Sequence, residues 1–154
     1  EPPKPVEANK WWWSQLISNL NLRKPTFLPV DATSQEALHL MKTQGVDELA
    51  VVNENEQITF FVTANSLMSA LINGSGKITD AAKNFPYYHF TKLDKTATLG
   101  RLSRVLEKES FVPIIDDNSK LIAVVTQKTL YDFISTANET NGTNGATNGT
   151  NGTA

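Results

Sequence analysis

Thr63 and Thr126 are the residues of this chain best placed to do chemistry, and they stand 63 positions apart. Each closes an apolar run, Ile58-Thr59-Phe60-Phe61-Val62 or Leu121-Ile122-Ala123-Val124-Val125, and opens a run with helical spacing. At such a junction the first N–H groups of a helix lack intrahelical partners and the helix dipole is positive. A threonine hydroxyl can cap the helix there, and an anion can be held beside it. The two roles are compatible. Other reactive side chains do not converge. His39 and His89 are the only histidines, and neither has a partner at metal-ligand spacing. Asp116, Asp117, Glu54 and Glu56 fall in polar turns, where solvated carboxylates are the ordinary occupants. Gly74-Ser75-Gly76 lacks phosphate-cradling spacing. Arg101, Arg104 and Lys108 share one helix face, a wet stripe or a surface for an acidic partner. Nothing assembles a nucleophile, a base and an orienting group, so the chain is not expected to be a catalyst by itself.

The elements that position the two threonines are themselves duplicated. Val52 matches Ile115, Leu67 matches Leu130 and Leu71 matches Ile134, all at the 63-residue offset. A period this long means two copies of one supersecondary block rather than a solenoid, and it places a ligand site in a cleft between them. In the first copy Thr26–Val30 reads as a strand, and Thr33 or Ser34 caps a helix carrying Ala37, Leu38 and Met41 that stops at Gly45. A hairpin of Leu49–Asn53 and Ile58–Val62 follows, then a helix through Leu67, Met68, Leu71 and Ile72 ending at Asn73-Gly74. The second copy repeats this with a strand Tyr87–Leu93 and a Thr98-capped helix through Leu99, Leu102, Val105 and Leu106. Strands Phe111–Asp116 and Leu121–Val125 and a helix with Leu130, Phe133, Ile134 and Ala137 complete it. The first helices of the two copies align after a one-residue slip. The predicted class is α+β, two pseudo-symmetric β-α-β-β-α repeats, each a small sheet packed by helices.

Residues 1–10 read as a Pro-rich linker, 11–22 as a Trp-rich connecting helix, 23–76 and 77–137 as the two repeats, and 138–154 as a disordered Asn/Gly/Thr tail. The tail's Asn-x-Thr sequons read as a polar spacer. Glu1, in place of Met, reads as the start of a fragment. A net charge of −2 argues against nucleic acid as a partner, and no apolar run is long enough to span a membrane. With no Cys and no signal-peptide pattern, the expected location is the cytoplasm. Three adjacent tryptophans, Trp11, Trp12 and Trp13, cannot all enter one core from one helix, because neighbours point about 100° apart. They cap this domain's own core or dock onto an adjoining domain.

The duplicated strand–strand–Thr–helix block resembles the CBS-domain pair, a regulatory module that binds adenosyl compounds. Lys10-Trp11-Trp12-Trp13 and Thr98-Leu99-Gly100-Arg101-Leu102-Ser103-Arg104-Val105-Leu106-Glu107 are similar to the C-terminal regulatory region of eukaryotic cystathionine β-synthases. The resemblance spans about residues 10–137. It implies a non-catalytic regulatory and assembly module whose parent is a pyridoxal-phosphate lyase, with haem, that condenses homocysteine with serine on the transsulfuration route to cysteine. It implies contact of Trp11, Trp12 and Trp13 with the parent's catalytic core, a homodimer formed through the helices, and S-adenosylmethionine as the ligand that relieves restraint.

Two features depart from the family's pattern. Adenosyl sites of CBS domains usually read Thr-x-x-Asp, the carboxylate accepting both ribose hydroxyls. Here Ser66 follows Thr63 and Thr129 follows Thr126 at that spacing. Leu49-Ala50 also replaces the usual small residue and proline, and Leu49 could fill adenine space. The family's cleft then maps to Thr63, Ser66, Thr126, Thr129, Val46, Asp47 and Leu49. The expectation is impaired or lost S-adenosylmethionine sensing, the alternative being a working sensor that recruits Asp47 or Asp132.

Overall fold

In a computed structural model residues 10–145 are described, with side chains as far as Thr136. The duplicated order is present: α1 (Ser34–Gln44), β1 (Glu48–Val52), β2 (Ile58–Thr63), α2 (Ala64–Asn73), β3 (Leu93–Asp94), α3 (Leu99–Leu106), β4 (Val112–Ile115), β5 (Leu121–Val125) and α4 (Gln127–Gly145). Strands β1 and β2 form an antiparallel pair, and a second sheet has the order β3-β4-β5. Helix α4 continues past Ala137, where the sequence reading began its tail. Residues 1–9 of the expected linker and the rest of that tail lie outside the described residues.

The chain divides into two compact units. One combines the stretch up to Leu22 with Thr91–Ile114 and the chain from Val124 onward; the other combines Arg23–Phe90 with Ile115–Ala123. In the second of these, Ala37 and Met41 of α1 meet Leu49, Val62, Leu67 and Ala82 in one apolar cluster. Helical spacing on α1 and strand alternation on β1 and β2 deliver these side chains to one side. In the other unit Ile17, Leu99, Leu102, Val112, Ile114 and Val125 are fully buried. Each such side chain contributes about 1.5–3 kcal/mol relative to exposure.

The local signals for α1 hold in full. Thr33 Oγ1 accepts from Glu36 N–H at 3.1 Å while Glu36 Oε1 accepts from Thr33 N–H at 2.9 Å, and Gly45 closes the helix at φ 68°. The two hairpin tips are built alike as well. Asn53 Oδ1 accepts from the N–H groups of Asn55 and Gln57, and Asp116 Oδ1 accepts from those of Asn118 and Lys120. Glu56 and Ser119, 63 residues apart, are the two non-glycine residues with positive φ among the described residues. Side-chain hooks of this kind impose the same turn twice.

Three expected elements differ. Thr26–Val30 is not a strand: Phe27 makes a single parallel bridge to Ala50, flanked by Pro25 and Pro29, which have no N–H to extend a ladder. Tyr87–Leu93 is likewise reduced to one bridge, Phe61 to Tyr87, followed by the two-residue β3. The Trp-rich stretch is not a helix but turns, with a 3-10 turn at Ile17–Asn19. Its main chain is engaged elsewhere. Leu99 and Gly100 N–H donate to the carbonyls of Gln15 (2.7 Å) and Trp13 (2.9 Å), and Ile17 and Ser18 N–H donate to those of Ala97 (2.9 Å) and Lys95 (3.0 Å). Groups so occupied cannot close an i to i−4 ladder.

The same element recurs 65 residues on. Ser34 and Gln35 N–H donate to the carbonyls of Asp80 (2.8 Å) and Ile78 (3.1 Å), and a 3-10 turn follows at Ala82–Asn84. Thr98 likewise stands 65 residues after Thr33, two more than the hairpin offset, so the slip between the first helices is two residues, not one. In each case an incoming strap satisfies the orphan N–H groups that open a helix.

Candidate functional site

The two threonines do sit at the strand–helix junctions. Thr63 is 8% exposed, paired in register with Glu48 across β1 and β2, and Ala64 N–H donates to the Asp47 carbonyl at 2.9 Å. Its Oγ1 accepts from Ser66 N–H at 3.0 Å, while its own N–H donates to Ser66 Oγ at 3.2 Å. Ser66 Oγ in turn donates to the Thr63 carbonyl at 2.9 Å. This is a closed capping box, and the serine hydroxyl is consumed by it. At the second junction Thr126 N–H donates to Thr129 Oγ1 at 3.3 Å, and the two hydroxyls lie 3.4 Å apart. At the first junction both hydroxyls are bonded to the other residue's backbone, at the second the two hydroxyls meet each other, and neither has a carboxylate at the third position.

The carboxylates considered as substitutes are differently placed. Asp132 is exposed and paired with Lys128 at 2.8 Å, one helical turn away on α4. Asp47 is exposed and lends only its backbone to the Thr63 junction. Its neighbour Glu48, which the sequence reading passed over, is 9% exposed, with its carboxyl accepting from its own backbone N–H. Burial, reinforced by the negative charge of Asp47, pushes the Glu48 carboxyl up to about 7. The signal for it was the strand register: starting β1 one residue before Leu49 puts Glu48 opposite Thr63. Val46 is half-buried beside the first apolar cluster, and Leu49 lies fully buried in that cluster, where its bulk serves the core.

The tryptophans pack within their own unit. Trp12 is buried and Trp11 and Trp13 are half-buried. Trp11 lies 6.2 Å from Phe133 of α4 by ring centroid, and Trp12 lies 5.5 Å from Trp13. The Trp13 indole rests on Gly100, where a Cβ would come within 2.4 Å of Nε1. Both histidines are exposed, and no cluster of three metal-ligating side chains occurs among the described residues. No helix among them is long and apolar enough to cross a membrane.

Comparison with known proteins matches the CBS domain model to residues 17–73 and 82–136, two segments whose starts share the 65-residue spacing of the straps. Cystathionine beta-synthase of Apis mellifera is 37% identical over 138 residues, covering 88% of this chain and 27% of that protein. The chain thus spans about a quarter of the length of that relative, in its C-terminal regulatory part. Among solved structures, AcuB of Vibrio cholerae superposes with a TM-score of 0.72 at 17% identity, covering 83% of this chain and 96% of that one. The CBS domain pair of protein MJ0100, in complex with 5′-methylthioadenosine and S-adenosyl-L-methionine, gives 0.68 at 14% identity, covering 80% and 98%. The two structures support the fold, and the sequence relative supports the lineage: this chain belongs to the CBS-domain family, as a tandem pair homologous to the regulatory region of cystathionine β-synthase.

Proposed function

We propose that this pair is a non-catalytic regulatory and assembly module of a cytoplasmic cystathionine β-synthase, and that it has lost adenosyl sensing. The parent would be a pyridoxal-phosphate enzyme, with haem, joining homocysteine and serine; both cofactors belong to its catalytic region. One observation carries the reading. At Thr63 and Thr126 the third residue on is an alcohol already bonded within the junction, so a ribose diol meets no free acceptor-only group. Removing a charged hydrogen-bond partner costs roughly 1.5–3 kcal/mol, about ten- to a hundredfold in affinity. The parent would then be held in one state irrespective of S-adenosylmethionine. Titration calorimetry of the module with S-adenosylmethionine, AMP and ATP tests this. No heat at micromolar ligand is expected, and Thr129→Asp is expected to restore binding; micromolar heat for the unaltered module overturns the reading.

A second reading rests on Glu48. Its buried carboxyl belongs to the residue paired with Thr63 in the β1–β2 register. If the module does sense an adenosyl ligand, Glu48→Gln abolishes that heat while Asp132→Asn leaves it unchanged.

Assembly is proposed to be a homodimer through the helices. Met68 and Ile72, one turn apart on α2, and Tyr131 on α4 are exposed large apolar side chains. Light scattering is expected to give twice the chain mass; a monomer at high concentration refutes this.

A further inference from the structure

Helix α2 ends on Asn73-Gly74, and among the described side chains Asn73 is the only asparagine that a glycine follows. The two glycine stops differ in one respect. Gly45 N–H donates to the carbonyls of Lys42 and Met41, whereas Gly74 N–H, at φ 83°, has no hydrogen-bond partner among the described residues. A Cβ at Gly74 would meet nothing within 4 Å, and residues 73–75 are all exposed, so water and hydroxide reach this nitrogen. The carboxamide beside it is held and polarised, because Ser75 N–H donates to Asn73 Oδ1 at 2.9 Å. That bond draws electron density away from Cγ, and the same donor serves the oxyanion that forms when a nucleophile adds there. Asn53 supplies the contrast. Its Oδ1 accepts in the same way from Asn55 and Gln57 N–H, both at 2.9 Å, but the residue after it is Glu54, whose Cβ crowds the main-chain nitrogen.

We propose that Asn73 is a self-modification site, at which the Gly74 nitrogen cyclises onto the side-chain amide and a carboxylate finally replaces it. Hydroxide removes the Gly74 N–H proton, and the nitrogen bonds to Asn73 Cγ. The Cγ–Nδ2 bond then breaks, Nδ2 takes a proton from water, and ammonia departs from a five-membered imide. Water opens that imide at Cγ to give an aspartate, or at the main-chain carbonyl to give its β-linked isomer. Water is consumed, ammonia is released, and nothing is oxidised or reduced. The new carboxylate lies at the negative end of the α2 dipole and follows Ile72, which is 86% exposed. It therefore loosens the last turn and sets a charge beside an apolar side chain, to a degree that grows with the age of the protein. The reaction needs no adenosyl ligand, so it stands whether or not adenosyl sensing is lost.

The test uses the full-length protein, incubated at pH 7, 8 and 9 in heavy-oxygen water and then digested with trypsin. No Lys or Arg lies between Lys42 and Lys77, so Asn53, Asn55, Asn65 and Asn73 arrive on one peptide, free of the Asn-Gly pairs of the tail. Mass spectrometry is expected to find Asn73 converting at least about tenfold faster than Asn53. The product carries heavy oxygen and includes the β-linked isomer, and the rate climbs about tenfold per pH unit because the deprotonated amide is the nucleophile. Gly74→Ala should slow conversion about tenfold by adding the Cβ that Gly74 lacks. Should that variant melt early, Gly74→Asn, which tolerates the left-handed cap, must show the same slowing. Equal rates at Asn53 and Asn73 overturn the proposal, as does a product without the β-linked isomer or a rate independent of pH.

Discussion

The strap before the first repeat and the strap between the repeats do the same main-chain work with different side chains. In residues 13–20 and 78–85 two carbonyls accept from N–H groups of the opening turn of a helix, and the chain then coils into a 3-10 turn. Trp13 stands where Ile78 stands in the other. The indole presses on Gly100, with Lys10 and Arg104 close to its ring, whereas Ile78 is 49% exposed and its partner position is Gln35. Backbone bonding suffices to place a strap. The added ring and its glycine seat are a side-chain anchor specific to the strap before the first repeat. The hairpins differ in the same manner. Glu48 in β1 and Phe111 just before β4 are 63 residues apart and both buried, one as an acid and the other as an aromatic ring. One repeat is conventional at this position; the other stores a charge penalty.

That contrast gives the largest expected effect. The Glu48 carboxyl is raised from about 4.5 in the unfolded chain to about 7 in the folded one. Between these values the folded state holds a proton that the unfolded state has released, so stability falls as pH rises. The favourable contribution is complete below about 4.5 and is lost as pH climbs through about 7, a change on the order of 3 kcal/mol. Urea unfolding of the module at pH 5, 6, 7 and 8 should show this decline. Glu48→Gln should flatten it, and Phe111→Leu should leave its slope as in the parent sequence. An unchanged slope in Glu48→Gln assigns the titration elsewhere.

The straps predict a smaller difference. Gly100→Ala places a Cβ inside the Trp13 indole, an overpacking cost of about 1–3 kcal/mol, partly offset by the better helix propensity of Ala at about 1 kcal/mol. A net loss of about 1 kcal/mol is expected, with red-shifted tryptophan emission as the ring leaves its seat. Gln35→Ala, at the matching position of α1, is expected to stay within about 0.5 kcal/mol. Equal effects at both positions would mean that Trp13 is not an anchor.

What the sequence made legible was local chemistry. Thr33, Thr63 and Thr98 as caps, Gly45 and Gly74 as stops, and the polar hairpin tips follow from side chains acting within a few residues. Segments whose main chain bonds far away were misread. Lys10–Leu20 has helical spacing, but its carbonyls are claimed by a helix some 85 positions later. Thr26–Val30 and Tyr87–Leu93 have strand composition, but Pro25 and Pro29 limit the first to a single bridge, and the second makes only the Phe61–Tyr87 bridge before β3. Of the site, Ser66 and Thr129 are legible as departures from the Thr-x-x-Asp pattern that the family resemblance implies. That their hydroxyls are already spent on the caps required coordinates. Glu48 was overlooked because a charged residue at a strand's edge reads as solvated unless the register is known.

The two junctions supply the smallest predicted contrast. Thr63 makes a reciprocal box, its hydroxyl accepting from Ser66 N–H and its N–H donating to Ser66 Oγ. At Thr126 the geometry is one-sided: N–H donates to Thr129 Oγ1 at 3.3 Å, and the hydroxyls meet at 3.4 Å without the return bond to the helix backbone. A cap that satisfies an orphan N–H contributes about 1 kcal/mol, and a looser one less. Thr63→Ala should therefore destabilise by about 1 kcal/mol and Thr126→Ala by about half that, read from urea midpoints at one pH with unchanged m-values. Thr63→Ser should retain most of the loss-free behaviour because the hydroxyl is kept. If Thr126→Ala proves the costlier, then the second hydroxyl has a role beyond capping, and the case for a spent junction weakens at that repeat first.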